Sequence, residues 1–237
     1  SRVLDRLRNK FRALGRAAAS VKGVIVGALG TAALIRSVQG SIRAISQQIT
    51  AERKLEGVLR ATGEAAGFNA EQLKRRAAEL QEATTFGDEN IINLQSQLAT
   101  FGKISDENFS RATEAAINMA TVFDTRLRLA GRQLGQSLAE PELALTRLRR
   151  MGVVFTQDQE KLIETLAESG RTAEAQDVIL SKLENTFGGV AQSIAQGPVG
   201  SIEQSKNAIG DFVEEIGAAF APMVATILKG IRRVGEA

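Results

Sequence analysis

The sequence predicts an all-α protein: a long N-terminal coiled-coil-like helix, a compact array of short helices, and a C-terminal helix pair. Composition is the first observation. The 237 residues are dominated by helix formers, with only three Pro, ten Phe and no Trp or Tyr. Spacing is the second: apolar residues recur every three or four positions, and no stretch alternates with period two for long enough to argue a strand. The third is punctuation, because helix stop and start signals follow one another at short intervals, most densely from Leu134 to Gly189. These signals divide the chain into residues 1–62, 63–196 and 197–237.

The first part opens on a heptad seam. Leu4, Leu7, Phe11, Leu14, Ala18, Val21, Ile25, Ala28, Ala32 and Ile35 alternate spacings of three and four. After Ile35 the phase slips, and the pattern goes on through Val38, Ile42, Ile45 and Ile49 to about Leu59. One helix of that length would be roughly 90 Å long. A solitary helix cannot bury such a seam, so Leu4, Leu7, Phe11, Leu14 and Val21 are expected to line an oligomer interface or to fold back on the body. Residues 23–35 carry no charge, with Lys22 and Arg36 at either side. Gly23 and Gly27 form GxxxG, extended by Thr31, a pattern that lets helices approach closely or enter a bilayer. Thirteen residues fall short of the about 20 a membrane span needs. The run is not a signal peptide in this form, since the basic stretch before it is long and no small-residue cleavage site follows.

The second part is a string of caps and stops. Phe68-Asn69-Ala70-Glu71-Gln72-Leu73 predicts a helix start with Asn69 as N-cap, Gln72 reaching back, and Phe68 stapling to Leu73. That helix runs to about Thr84. Gly87-Asp88 starts the next, with Ile91, Leu94 and Leu98 on one face and Gly102 closing it. Ser105 is expected to cap a third, with Ile104 stapled to Phe109 and a face of Phe109, Ala112, Ala116, Ala120 and Phe123. Leu127, Leu134 and Leu138 line the following helix, where Gly131 and Gly135 permit a close crossing. Ala139-Glu140-Pro141 ends it and starts another, since the residue before proline is pushed out of α space. Gly152 and Gly170 end helices, Thr156 with Gln159 reads as a capping box, and Gly188-Gly189 stops the helix that reaches Phe187.

The third part begins at Gln196-Gly197-Pro198-Val199-Gly200, which reads as a linker. Ile202, Ile209, Val213, Ile216 and Phe220 then form an apolar stripe. Pro222 opens a last helix with Met223, Ile227, Ile231 and Val234.

Chemistry finds little to hold. With no Cys and no His, disulfides, thiolate metal sites and the commonest general base are excluded. There is no G-x-S-x-G, Walker loop or H-E-x-x-H. Adjacent acids such as Glu214-Glu215 do not face each other on a helix, and Asp88-Glu89 reads better as a helix start. The expectation is a non-enzyme with no catalytic residue, cofactor or metal site. Charge is uneven: residues 1–60 carry twelve Lys/Arg against Asp5, Glu52 and Glu56, a net +9, while the remainder sums to −6. Arg2, Arg6, Arg8, Lys10, Arg12 and Arg16 could meet DNA phosphates without reading bases, or form the solvated face of a coiled coil.

A resemblance sharpens the reading. Leu134-Gly135-Gln136-Ser137-Leu138, Pro141 to Leu148, Arg150-Met151-Gly152-Val153, Phe155-Thr156, Leu166, Gly170, Ala175-Gln176, Ile179-Leu180, Leu183 and Phe187-Gly188-Gly189-Val190-Ala191 together resemble the globular block of phage tail tape measure proteins. Glu52, Gly63 and Ala83-Thr84-Thr85-Phe86-Gly87 upstream, and Ile209-Gly210, Ile216-Gly217 and Ala221-Pro222 downstream, fit the same family. The resemblance covers roughly residues 50 to 225, and the first 50 match in character only. It implies a structural virion protein that sets tail tube length, occupies the tail lumen or tip, and leaves ahead of DNA on ejection. Implied partners are tail tube, tail tip and tail assembly chaperone proteins, with host membrane and DNA met during ejection and host cytoplasm as the place of assembly. A homo-oligomer is expected, a trimer by analogy with threefold and sixfold tail rings. The chain begins with Ser and ends inside an amphipathic pattern, which reads as a segment of a longer protein. The competing readings are a bacteriocin-like pore former using residues 23–35 and a non-specific DNA-binding helical protein using the basic arm.

Overall fold

The structure, a computed structural model, describes residues 31–63 and 67–211. The chain divides into two units, Ser46–Phe212 and the two terminal segments Ser1–Ile45 and Val213–Ala237. Of the terminal segments, residues 31–45 are described and are helical. Among the described residues there is helix and turn but no strand.

Helix α1 is Thr31–Ala61. It is followed by α2 (Ala70–Ala83), α3 (Asp88–Ala99), α4 (Asp106–Val122) and α5 (Leu127–Ala139). Then come α6 (Pro141–Arg149), α7 (Gln157–Glu168), α8 (Thr172–Phe187) and α9 (Val190–Ala195). Residues 198–211 form α10.

Local chemistry explains most of the boundaries. The Asn69 side chain accepts from the Gln72 backbone N–H at 2.9 Å while Gln72 Oε1 accepts from the Asn69 N–H at 2.9 Å, the reciprocal box that satisfies two orphan donors. Thr156 and Gln159 do the same for α7, at 3.3 and 3.0 Å. Pro141 occupies the first position of α6, where its missing N–H costs nothing. Gly152 and Gly170 turn the chain at φ +88° and +71°, values that disfavour any side chain.

Helix α4 is the hub of the compact unit. Its face of Phe109, Ala112, Ala116 and Ala120 is buried, and α3, α5, α8 and α9 all pack on it. Small residues there let four neighbours approach one helix. Helix α2 lies on α3 and α6 packs on α5, while α7 packs on both α6 and α8. A Cβ on Gly131 would collide with Leu94, and one on Gly135 with the Phe101 ring. Both glycines therefore set the distance at which α5 crosses α3 and its following turn.

Three expectations differ in detail. Ser105 stands at the N-cap of α4, but its side chain makes no capping bond. Its backbone N–H instead donates to Gln176 Oε1 at 3.3 Å. Ile49 is 53% exposed, whereas Ala51, Leu55 and Leu59 are buried. The face of α1 that packs into the compact unit therefore excludes Ile49. Pro198-Val199-Gly200 is the first turn of α10 rather than a linker, again because proline suits that position. The compact unit spans Ser46–Phe212. Buried residues of α1 and hydrogen bonds from α10 to α2 belong to it.

Candidate functional site

Leu4, Leu7, Phe11, Leu14, Val21, Gly23 and Gly27 lie outside the described residues. Thr31 opens α1. The apolar positions from Val213 onward and the Glu214-Glu215 pair also lie outside them. What the structure brings together is the Leu134–Gly189 block and the helix it wraps, α4.

Gln176, fully buried on α8, is the polar centre of that assembly. Its Nε2 donates to the Leu138 carbonyl at 2.9 Å and to the Lys103 carbonyl at 2.6 Å. Its Oε1 accepts from the Ser105 N–H at 3.3 Å and from Asn108 Nδ2 at 3.5 Å. One side chain thus ties the end of α5, the α3–α4 turn and the start of α4 to α8. Asn108 Nδ2 also donates to the Ala173 carbonyl at 3.0 Å. Asn118 works in the same manner further along α4, where its Oδ1 accepts from the Ala191 N–H at 3.0 Å and anchors α9.

Around this centre lies a charged clamp. Arg111 of α4 pairs with Asp177 and donates from Nε and Nη2 to Glu184 at 2.7 and 2.8 Å. It also donates to Ser181 Oγ at 3.0 Å. The Glu184 and Asp177 carboxylates raise the Arg111 pKa further above its already high value, so the guanidinium is permanently charged. Phe123 meets Phe187 edge-on at 5.3 Å and closes the far end of the same α4–α8 contact.

A cleft of about 250 Å³ lies between α2 and α4, lined by Phe68, Arg76, Gln95, Phe109 and Thr113 among others. Phe68 and Phe109 stack tilted at 5.9 Å at one end of it. Arg76 pairs with Glu114 of α4.

Chemically, these groups hold helices together. The Arg111 and Gln176 groups are engaged with carboxylates, a hydroxyl, carbonyls and amides of the fold. Asp88 and Glu89 carry raised carboxyl pKa values because both are partly buried, with neighbouring carboxylates adding to the effect. They begin α3, as adjacent acids at a helix start do. Among the described residues no group of three acids is arranged to hold a metal ion, and no helix is long and apolar enough to cross a membrane.

Sequence reasoning found the caps at Asn69 and Thr156 and the glycine crossings; Gln176 entered only as part of the Ala175-Gln176 resemblance, without its role, and Asn118 and Arg111 were not singled out. Gln176 carried a faint signal, a polar residue at helical spacing on the same face as Ile179, Leu180 and Leu183. Its partners sit up to 73 residues away, and no local pattern names them.

Comparison with known proteins gives one match. A family model described as prophage tail length tape measure protein matches residues 4–164, from the first seam residue into α7. No curated protein and no solved structure matches the chain.

Proposed function

The chain belongs to the prophage tail length tape measure proteins, and on that premise we propose that its helical arm is part of the ruler itself while Ser46–Phe212 is a folded block carried on it. A tail protein of this family is a structural, virion-associated component that acts with other tail proteins in fixing tail length. The observation that carries the proposal is the match over residues 4–164, which takes in both the arm and much of the compact block.

The physical link between chain and length is the fixed rise of the α-helix, about 1.5 Å per residue. The part of α1 that precedes the compact unit, residues 31–45, spans about 22 Å. Tube subunits polymerise around this rod in the tail lumen, and the chain leaves ahead of DNA on ejection. Assembly chaperones and tail tip proteins meet it in the host cytoplasm. The arm self-associates through Leu4, Leu7, Phe11, Leu14 and Val21, as a trimer, because an amphipathic seam needs a partner to bury it. Gly23, Gly27 and Thr31 allow close helix approach within that bundle. The basic face of the arm meets DNA phosphates or anionic lipid during ejection.

The test is a pair of deletions in phage. Removing residues 4–24 takes out 21 residues of arm, and tails are expected to shorten by about 30 Å in electron micrographs. Removing residues 141–161 instead deletes α6 and the start of α7, and intact tails are expected to be lost. Tails of unchanged length in intact virions after the arm deletion would overturn the ruler reading. Sedimentation of the chain with and without Leu7→Asp tests the seam: loss of an oligomer supports it, and a monomer in both cases contradicts it.

A further inference from the structure

The cleft between α2 and α4 holds a polar group that the fold does not use. Gln95 of α3 lines it and is 1% exposed. Both ends of its amide, Oε1 and Nε2, are buried without a hydrogen-bond partner. Among the described residues no other buried side-chain amide leaves both its acceptor and its donor unmet. An unpaired amide at this depth opposes folding, and a leucine would fill similar space without that cost. The group is matched by an occupant that presents a donor and an acceptor side by side.

Most other polar side chains around the cleft are committed to the fold. Gln72 Oε1 accepts from the Asn69 N–H at 2.9 Å, and Thr113 Oγ1 donates to the Phe109 carbonyl at 3.0 Å. Arg76 is held by Glu79 and Glu114, and the neighbouring Glu71 is taken by Lys74 at 2.7 Å. Two groups remain over. Arg75 of α2 is exposed and makes no ion pair among the described residues. The half-buried Ser110 hydroxyl of α4 makes no hydrogen bond among them. Phe68, Leu73 and Phe109 give the same space an apolar wall. Its volume of about 250 Å³ is below the roughly 300–1,000 Å³ of sites for cofactors and drug-sized ligands, and suits a single amino-acid residue with its peptide group.

We propose that this cleft is a docking site for the carboxyl-terminal residue of a partner polypeptide. In an extended residue the N–H and the carbonyl face the same side, as they do when two strands exchange a pair of bonds. At a chain end, Gln95 Oε1 therefore accepts from the last N–H while its Nε2 donates to the carboxylate. Arg75 supplies the counter-charge and Ser110 a further donor, the mode by which chain ends are captured elsewhere. The last side chain is apolar and lies against Phe68 and Phe109. A chain end carries all of these groups on one residue, whereas an internal acidic segment has to leave so small a cleft on two sides.

The test is a titration of the isotope-labelled full chain, followed by NMR. The probe is N-acetyl-leucine, which has the N–H, the carboxylate and the apolar side chain. N-acetyl-leucinamide lacks the charge, and N-acetyl-aspartyl-leucinamide carries its carboxylate on an internal residue. N-acetyl-leucine is expected to shift the Gln95 side-chain amide and the Ser110 backbone amide at about millimolar concentration, while the amides of α8 stay in place. The other two probes should bind about two- to fivefold more weakly, and Arg75→Gln should remove the advantage of the acid. Gln95→Leu should abolish binding and melt at or above the temperature of the unaltered chain, because the unpaired amide goes with it. Should that variant fail to fold, Arg75→Gln at its exposed position still decides the matter. No shift at Gln95 would overturn the proposal. So would equal affinity for the acid and the leucinamide, or tighter binding of the internal carboxylate.

Discussion

Gly131 and Gly135 show how closely single residues set this fold. Each sits where α5 crosses the α3 region, and an added methyl group would strike Leu94 or the Phe101 ring. Gly135→Ala is therefore expected to destabilise the protein by about 1–3 kcal/mol despite alanine's better helix propensity. Chemical denaturation reads this directly, and a stabilised variant would contradict the crossing. Gln176→Leu is the polar counterpart. It leaves the Leu138 and Lys103 carbonyls without their donor, at an expected cost of about 3 kcal/mol in the same measurement. The glycines were legible in sequence because a pair four apart on an apolar helix announces a close approach. The glutamine was not, because buried hydrogen bonding depends on which turns the fold brings to it. Ser105 marks the same limit: the residue type and position suit a cap, but tertiary contacts decided how it is used.

At the scale of elements, the boundaries were largely local and so largely readable. The boxes at Asn69 and Thr156 need only residues within one turn, and both form. Thr156→Ala should cost about 1 kcal/mol, whereas Ser105→Ala should be close to neutral because no capping bond is lost. Thermal melts of the two variants side by side test the distinction, and equal losses would contradict it. Leu148, fully buried on α6, is expected to cost about 2–5 kcal/mol on substitution by Ala. Helix α10 was harder to read. A Gly-Pro-Val-Gly run signals a turn, yet proline is equally suited to open a helix, and only packing distinguishes the two. The stripe of α1 is similar, since periodicity gives a helix but not the angle at which it meets a neighbour. That angle is set by Ala51, Leu55 and Leu59, which turn Ile49 outward.

For the whole molecule, the compact unit and the arm call for different physics. Ser46–Phe212 has its own core, gathered on α4, and is expected to melt cooperatively when produced without the arm, as followed by circular dichroism. A gradual, non-cooperative loss of helix would show that the core needs the rest of the chain. The arm is proposed to bury its seam against partner chains, and its contribution to the tail is expected to be length. The central claim is that residues in the arm convert to tail length at the rise of an α-helix, and one measurement tests it most directly. Tail length is measured by electron microscopy across a series of phage in which whole heptads are removed from or added to residues 4–24. The account predicts a straight line of about 1.5 Å per residue, read in steps of the tube repeat. Intact tails of constant length across the series would contradict it.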